Sequence, residues 1–287
     1  MSAIYKKEVR GYLTSMIGYV FIAFILVVVG IYFTAYNLLS AYPDFGATLN
    51  GITFVFLIIT PILTMRILAE EKKQKTDQLL FTAPIPIWKV ILGKYLGLVT
   101  IFTIPMAIIC IYPLIMSHYG TVSFSISYVA ILGFFLLGCA NIAIGVFLSS
   151  VTESQVIAAV LTFLVLFACF VMEGIQDFFS DTAMASFLAF IVLSLVFAAV
   201  IYHMTKDSLI SGIIGAVALG IVLITYLVKS SLYEGGIQKI LNIFNISEHL
   251  NQFIGGVFDL SGVIYMLSVA FVFLFLTVQS VEKRRWS

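Results

Sequence analysis

The chain has 287 residues, of which 62% are hydrophobic and only 10% are charged, and its mean hydropathy is +1.14. This composition excludes an ordinary water-soluble domain and predicts an all-α, polytopic membrane protein. The net charge of +1 leaves no excess of basic residues to neutralise phosphates. Nucleic acid is therefore excluded as a partner.

The first 16 residues have the pattern of an amphipathic helix. Tyr5, Val9 and Tyr12 recur at helical spacing, and basic residues lie between them. This pattern predicts a helix lying on the membrane surface. The apolar run that follows is long enough to span the membrane and no small-x-small cleavage site comes after it, so we do not expect a signal peptide.

Eight apolar runs are long enough to cross a bilayer, since spanning takes roughly 17 or more residues. They are about 17–39, 51–68, 87–116, 126–149, 154–172, 183–203, 209–228 and 262–280. The two runs within 183–228 also fit a shallow hairpin, so the pattern is compatible with six to eight spans. With both termini in the cytoplasm, all of the 15 Lys and Arg residues except Lys229 and Lys239 lie inside. This is the distribution that the positive-inside rule expects.

A charged island, from Arg66 to Lys94, separates the second and third runs. A charge at the bilayer centre costs roughly 2.5–3.5 kcal/mol even on the lenient insertion scale. We therefore expect the Glu and Lys side chains of this island to lie in water, on the cytoplasmic side.

Residues 69–89 of the island also contain the pattern of a short helix. Its predicted cap and its apolar side chains are Thr76, Asp77, Leu79, Leu80 and Phe81. Pro84 and Pro86 then end it. Because exposed apolar clusters usually mark a contact surface, the helix is expected to bind a partner.

Residues 229–261 are predicted to lie outside, as two short amphipathic helices dipping into the outer interface. The two apolar faces are Ile237, Ile240, Leu241 and Phe244, then Leu250, Phe253, Ile254 and Val257. Ser247 is the predicted cap of the second helix.

The predicted spans contain almost no ionisable or strongly polar side chains. Ionisable residues fall only near their ends, and Asn141 is the clearest deep polar side chain, expected to hydrogen-bond to another helix. Ion-driven transporters keep ionisable groups at depth. The chain also lacks a Gly-x-x-x-x-Gly-Lys-Ser/Thr loop for binding ATP. No catalytic, cofactor-binding or metal site is predicted, and the three cysteines are expected to be packing thiols.

Two other classes remain as alternatives. An ion-coupled secondary transporter is the first. An intramembrane enzyme is the less favoured one, because Glu70-Glu71 is similar to the paired glutamates of CAAX-type membrane proteases but no histidine lies deep in a span.

Three stretches resemble the permease subunit of ABC-2 type ABC transporters, and most of all its gliding-motility-associated subfamily. The first is residues 4–12. The second is residues 63–66 with 69–72, continuing through Thr76 to Lys94. The third combines residues 247–249, 256–260 and the terminal 282–286. Relatives often have Gly-Thr where this chain has Lys75-Thr76, and Glu where it has Asp77.

The resemblance implies a type V exporter-like transmembrane fold in one permease domain, residues 1–287. In that fold, 1–16 is an interfacial helix, 69–89 a cytoplasmic coupling region and 229–261 a pair of external helices. The residues that would contact a separate cytoplasmic ATPase are Glu70, Glu71, Thr76, Asp77, Leu79, Leu80 and Phe81.

The resemblance also implies the composition of the complex. The ATPase would bind ATP and Mg, so the permease is not an enzyme by itself. A second permease chain, identical or different, membrane lipids and an accessory extracytoplasmic subunit are the other implied partners. The implied location is the plasma (inner) membrane, and export is the favoured direction. Nothing in these residues selects the cargo.

Overall fold

The computed structural model describes residues 1–76, 85–178, 182–205, 208–242, 245–246 and 248–286. Over these ranges the chain is helical and contains no β-strand, so the all-α prediction is confirmed. The helices are α1 (Ser2–Leu13), α2 (Met16–Tyr32, continued by a π-helix over Phe33–Leu39), α3 (Phe45–Gly51), α4 (Phe56–Thr64), α5 (Ala69–Lys73), α6 (Ile87–Ile109), α7 (Tyr112–Tyr119), α8 (Phe124–Val151), α9 (Gln155–Phe178), α10 (Ala183–Thr205), α11 (Ser208–Val228), α12 (Gly236–Asn242), α13 (Glu248–Ile254) and α14 (Leu260–Trp286).

Six helical segments in the described part of the chain are long and apolar enough to cross a membrane. They are Met16–Leu39, Phe45–Lys73, Ile87–Tyr119, Phe124–Val151, Gln155–Met172 and Leu260–Arg284. Each coincides with one of the predicted runs, which confirms a polytopic membrane protein. The other two runs form α10 and α11, which are 23 and 21 residues long.

The chain forms two compact units. The smaller, Val171–Asn245, contains α10, α11 and α12. Tyr233 holds its helices together: the Tyr233 ring meets the ring of Phe190 edge-on at 5.5 Å, and its hydroxyl donates to the carbonyl of Val222 at 3.0 Å. Helix α12 begins beside α10, where the Ile237 amide donates to Ser186 Oγ at 3.3 Å.

Helix α8 is the centre of the larger unit, which comprises Met1–Phe170 and Ile246–Ser287, and it packs against α3, α4, α6, α13 and α14. Its glycines allow side chains of the neighbouring helices to approach the α8 backbone closely. A Cβ added to Gly138 would lie 2.3 Å from the ring of Phe102 on α6. One added to Gly145 would lie 2.3 Å from Thr64 Oγ1 on α4. These positions therefore require glycine, because any larger residue would push the facing helix away.

Helices α12 and α13 lie where the sequence predicts two short helices. Leu250 and Phe253 of α13 are fully buried, and a Cβ added to Gly133 of α8 would lie 2.5 Å from Phe253 Cβ. Helix α13 is thus part of the core of the larger unit, and its position at the outer interface stays a prediction. Val257 is 59% exposed, and Phe244 and Ser247 lie outside the described residues.

Helix α1 packs on the first part of α6 through two glycines. A Cβ added to Gly97 would lie 2.9 Å from Glu8 Cβ, and one added to Gly93 would lie 3.3 Å from the carbonyl of Met1. The C-terminal ends of α8 and α14 lie close to each other, because Arg284 of α14 pairs with Glu153, just after α8, at 2.8 Å. We call this end of the larger unit, where α1, α5 and the C-terminal turns of α8 and α14 meet, the island end.

Candidate functional site

Lys94 is the centre of the island end. Its side chain is 1% exposed, and its ammonium donates to Glu8 Oε1 at 2.8 Å, to Glu71 Oε1 at 2.7 Å and to the carbonyl of Ile67 at 3.1 Å. An ammonium has three donors and no acceptor, so all of its hydrogen-bonding capacity is used. Lys94 therefore joins α6, α1 and the segment that contains α5.

Glu71 shares its bound oxygen with a second lysine. Lys7 Nζ lies 2.8 Å from Glu71 Oε1 and 3.7 Å from Glu8 Oε1. Burial alone would lower the pKa of Lys7, but the hydrogen bond to Glu71 and the negative charge of Glu71 outweigh it and raise that pKa above its ordinary value. Glu71 Oε2 is buried and has no hydrogen-bond partner in the described part of the chain. The cluster of Glu8, Glu71, Lys7 and Lys94, which we call the ion cluster, is formally neutral.

A second attachment fixes the start of α5 to α8. Ser149 Oγ accepts hydrogen bonds from the amides of Leu68 at 3.2 Å and Ala69 at 3.1 Å, and it donates to the carbonyl of Met65 at 3.2 Å. The first amides of a helix have no partner within the helix, and here another helix supplies one. Lys72 adds a hydrogen bond from its ammonium to the carbonyl of Ser150.

Arg66 and Glu70 lie on the outer side of the same segment. Arg66 Nε is 3.0 Å from Glu70 Oε2, and both side chains are about 30% exposed. The Arg66 guanidinium also lies over the ring of Tyr12, 5.4 Å from its centroid, while the Tyr12 hydroxyl donates to the carbonyl of Leu63 at 2.8 Å. A pair this exposed contributes about 0–1 kcal/mol, so Glu70 matters less to the attachment than Glu71.

Helix α5 ends in a Schellman motif. The Thr76 amide donates to the Glu71 carbonyl at 3.0 Å, and the Lys75 amide donates to the Lys72 carbonyl at 3.1 Å. Lys75 has φ of +56°, the left-handed conformation that this motif needs and that glycine adopts most easily. Thr76 Oγ1 donates to the Glu71 carbonyl at 3.3 Å, so Thr76 helps to end α5.

The other predicted contact residues, Asp77, Leu79, Leu80 and Phe81, lie outside the described residues. The structure thus brings Glu70, Glu71 and Thr76 together on α5 and its end. Their contact with an ATPase stays a prediction.

The expectation that the island's charges lie in water is wrong for several of them. Lys94 is 1% exposed and Lys72 is 8% exposed, and only 14% of the Glu71 side chain is exposed. Each is buried because an opposite charge or a backbone carbonyl replaces the water it has lost. Lys73 and Lys75 are exposed, as expected.

Sequence reasoning missed Glu8, Lys94 and Ser149 as members of this site. Glu8 had a local signal, because it lies three residues after Tyr5 and four before Tyr12, on the apolar face of α1. Ser149 had none, since a serine in an apolar run is ordinary. Within the described ranges no group of His, Cys, Asp and Glu side chains could hold a metal ion.

No family model matches the chain, and no curated protein matches it. The case for the site therefore rests on its geometry and charges.

Proposed function

We propose that this chain is the permease subunit of an ATP-driven ABC-2 type transporter, an exporter coupled to a separate cytoplasmic ATPase through the charged island. The observation that carries the proposal is the double attachment of α5. The ion cluster ties α5 to α1 and α6, and Ser149 ties it to α8.

The attachments have the form that force transmission requires. A coupling region must move the spans when a partner moves it, which is possible only if no compliant loop intervenes. Here only Glu70 lies between the two attachments, since Ala69 is held by Ser149 and Glu71 is held by Lys94. A displacement of α5 is therefore passed directly to three helices.

The partner would supply the energy. The chain has no phosphate-binding loop of its own, so ATP and Mg would be bound by the ATPase subunit. With the island end in the cytoplasm, both termini and the island face this subunit, in agreement with the positive-inside rule. The location we propose is the plasma (inner) membrane, and a second permease chain would complete the transporter.

The test is co-purification of this chain with whatever is encoded beside it, followed by an assay for ATP hydrolysis that identifies the ATPase. We expect Leu80→Ala and Phe81→Ala each to weaken recovery of the ATPase about tenfold, because a buried apolar anchor is often worth ~1–2 kcal/mol. Leu39→Ala is the matched control, since Leu39 is 80% exposed at the far end of the first span. Normal ATPase recovery from the double variant, or earlier melting of the permease itself, would reject the docking role.

An ion-coupled secondary transporter is the second candidate, and the ion cluster favours it. Glu8 and Lys94 are ionisable and buried, and only 14% of the Glu71 side chain is exposed; ion-driven transporters also keep ionisable groups away from water. The pairing of the charges opposes it, because the Lys94 ammonium lies 2.8 Å from Glu8 Oε1 and 2.7 Å from Glu71 Oε1 and favours the ionised form of both carboxylates. Purified permease alone in vesicles, with a pH-sensitive dye inside, separates the two: proton movement driven by a gradient would support this candidate and contradict ours.

The enzyme alternative gains no support from the glutamate pair. Glu70 binds Arg66, and Glu71 binds Lys7 and Lys94. The two carboxylates are thus directed to different basic partners and do not converge on one site.

A further inference from the structure

A small cavity lies in the larger unit, between α4, α8 and α9. Its volume is about 20 Å³, and its polar lining residues are Thr53, Asn141 and Cys169. Apolar side chains form the rest of the wall. A water molecule needs roughly 10–15 Å³ of such space, so the cavity has room for one.

Asn141 is the unusual member of this wall. It is 6% exposed, and its side-chain amide makes no hydrogen bond to the described residues. The expected hydrogen bond to another helix is therefore not present there. An amide has two donors and two acceptor lone pairs, and leaving such a group buried without a partner is unfavourable.

Thr53 supplies a second polar group to the same space. Its hydroxyl donates to the Asn50 carbonyl at 2.9 Å, and its oxygen keeps the capacity to accept a hydrogen bond. The lining residues carry no ionised group, so the site suits a neutral molecule rather than an ion. Water is the neutral molecule of the right size.

We propose that this cavity is a hydration site, in which one water molecule bridges the Asn141 amide and the Thr53 hydroxyl within the membrane-spanning core. Two to four polar partners are what a buried water requires, and these two groups with the Cys169 thiol provide them. The site is separate from the island end, so it stands or falls independently of ATPase coupling.

Cys169 provides a reporter in the same cavity. The S–H hydrogen of a thiol exchanges with deuterium where D₂O reaches it, and D₂O has the size of the proposed occupant. In a Cys110→Ser, Cys139→Ser background, we expect the S–H group of Cys169 to exchange in D₂O, followed by its infrared S–H stretch. Asn141→Leu should slow this exchange about tenfold, because it removes the main partner of the water. Thr53→Val removes the second partner and should slow it in the same direction, which keeps the test available if Asn141→Leu does not fold.

Thr162→Val is the matched control on α9. Thr162 is fully buried and its hydroxyl donates to the Ala158 carbonyl of its own helix at 2.8 Å, away from the cavity lining. This variant should leave the rate unchanged. An inert Cys169 in the parent, or equal rates in the parent and in both Asn141→Leu and Thr53→Val, would overturn the proposal. So would a loss of association between chains in Asn141→Leu at an unchanged rate, which would assign Asn141 to a contact between copies.

Discussion

Replacing Lys94 by methionine tests whether the ion cluster holds the island end together. Methionine keeps the length of the apolar stem, so the change removes the ammonium with little change in volume. Glu8 and Glu71 then remain as two carboxylates whose side chains are 11% and 14% exposed. Lys7 is the described basic residue left in contact with both.

The expected magnitude follows from the burial and the remaining contacts. Removing one partner of a buried ion pair typically costs about 3–5 kcal/mol, because the other charge stays buried without compensation. The lower value applies here, since Lys7 Nζ stays 2.8 Å from Glu71 Oε1 but is 3.7 Å from Glu8 Oε1. We expect a loss of about 3 kcal/mol in the free energy of unfolding. Replacing Glu8 and Glu71 by glutamine as well should restore most of it, because neutral amides cost less to bury.

The assay is thermal melting of the purified variants in one detergent. Lys89→Met is the matched control on α6: Lys89 is half-exposed, with its ammonium 5.4 Å from the centroid of the Trp88 ring, and the change should stay within about 0.5 kcal/mol. The reasoning is refuted if Lys94→Met melts with the parent, or if the triple variant melts below Lys94→Met.

Three further predictions concern topology and packing. Cysteines placed at Gln74 and Lys239, in a background without native cysteines, should react from opposite sides of sealed vesicles, and reaction of both from one side would contradict the proposed topology. Ser149→Ala leaves two backbone amides of the island without their acceptor and should cost about 1–3 kcal/mol. Ser150→Ala should cost less, because its hydroxyl donates to a carbonyl of its own helix at 2.6 Å, and equal melting of the two variants would argue against the attachment to α8. Gly133→Ala should lower stability by about 1–3 kcal/mol, because the new methyl group would meet a buried aromatic side chain at 2.5 Å, and unchanged melting would show that the helices can separate there.

The spans could be predicted from the sequence because each is a long apolar run, but their ends could not. The second run was placed at 51–68, whereas the helical segment covers Phe45–Lys73. Its start is set by Asp44, whose Oδ1 accepts a hydrogen bond from the Gly46 amide at 2.8 Å. A cap of this kind is decided by one polar contact, to which average hydropathy is insensitive.

The candidate site was harder to predict because its contacts are distant in sequence. Lys94 and Glu8 are 86 residues apart, and Ser149 is 80 residues from Ala69. Hydropathy counts each charge as a separate cost and places it in water, while pairing in the folded chain removes much of that cost. The position of the island between two spans was visible in the sequence, but the groups that hold it were not.

The glycines of α8 also restrict how this protein can change shape. Gly133, Gly138 and Gly145 receive side chains from three different neighbours, so a shift of α8 along its axis would move all three side chains out of the space that the glycines leave. Close-packed interfaces of this kind have discrete arrangements and resist gradual shear. Any alternation between inward- and outward-facing states should therefore leave α8 with α4, α6 and α13 as a rigid block. The relative movement would then fall to Gln155–Met172, of whose apolar window only 17% is buried.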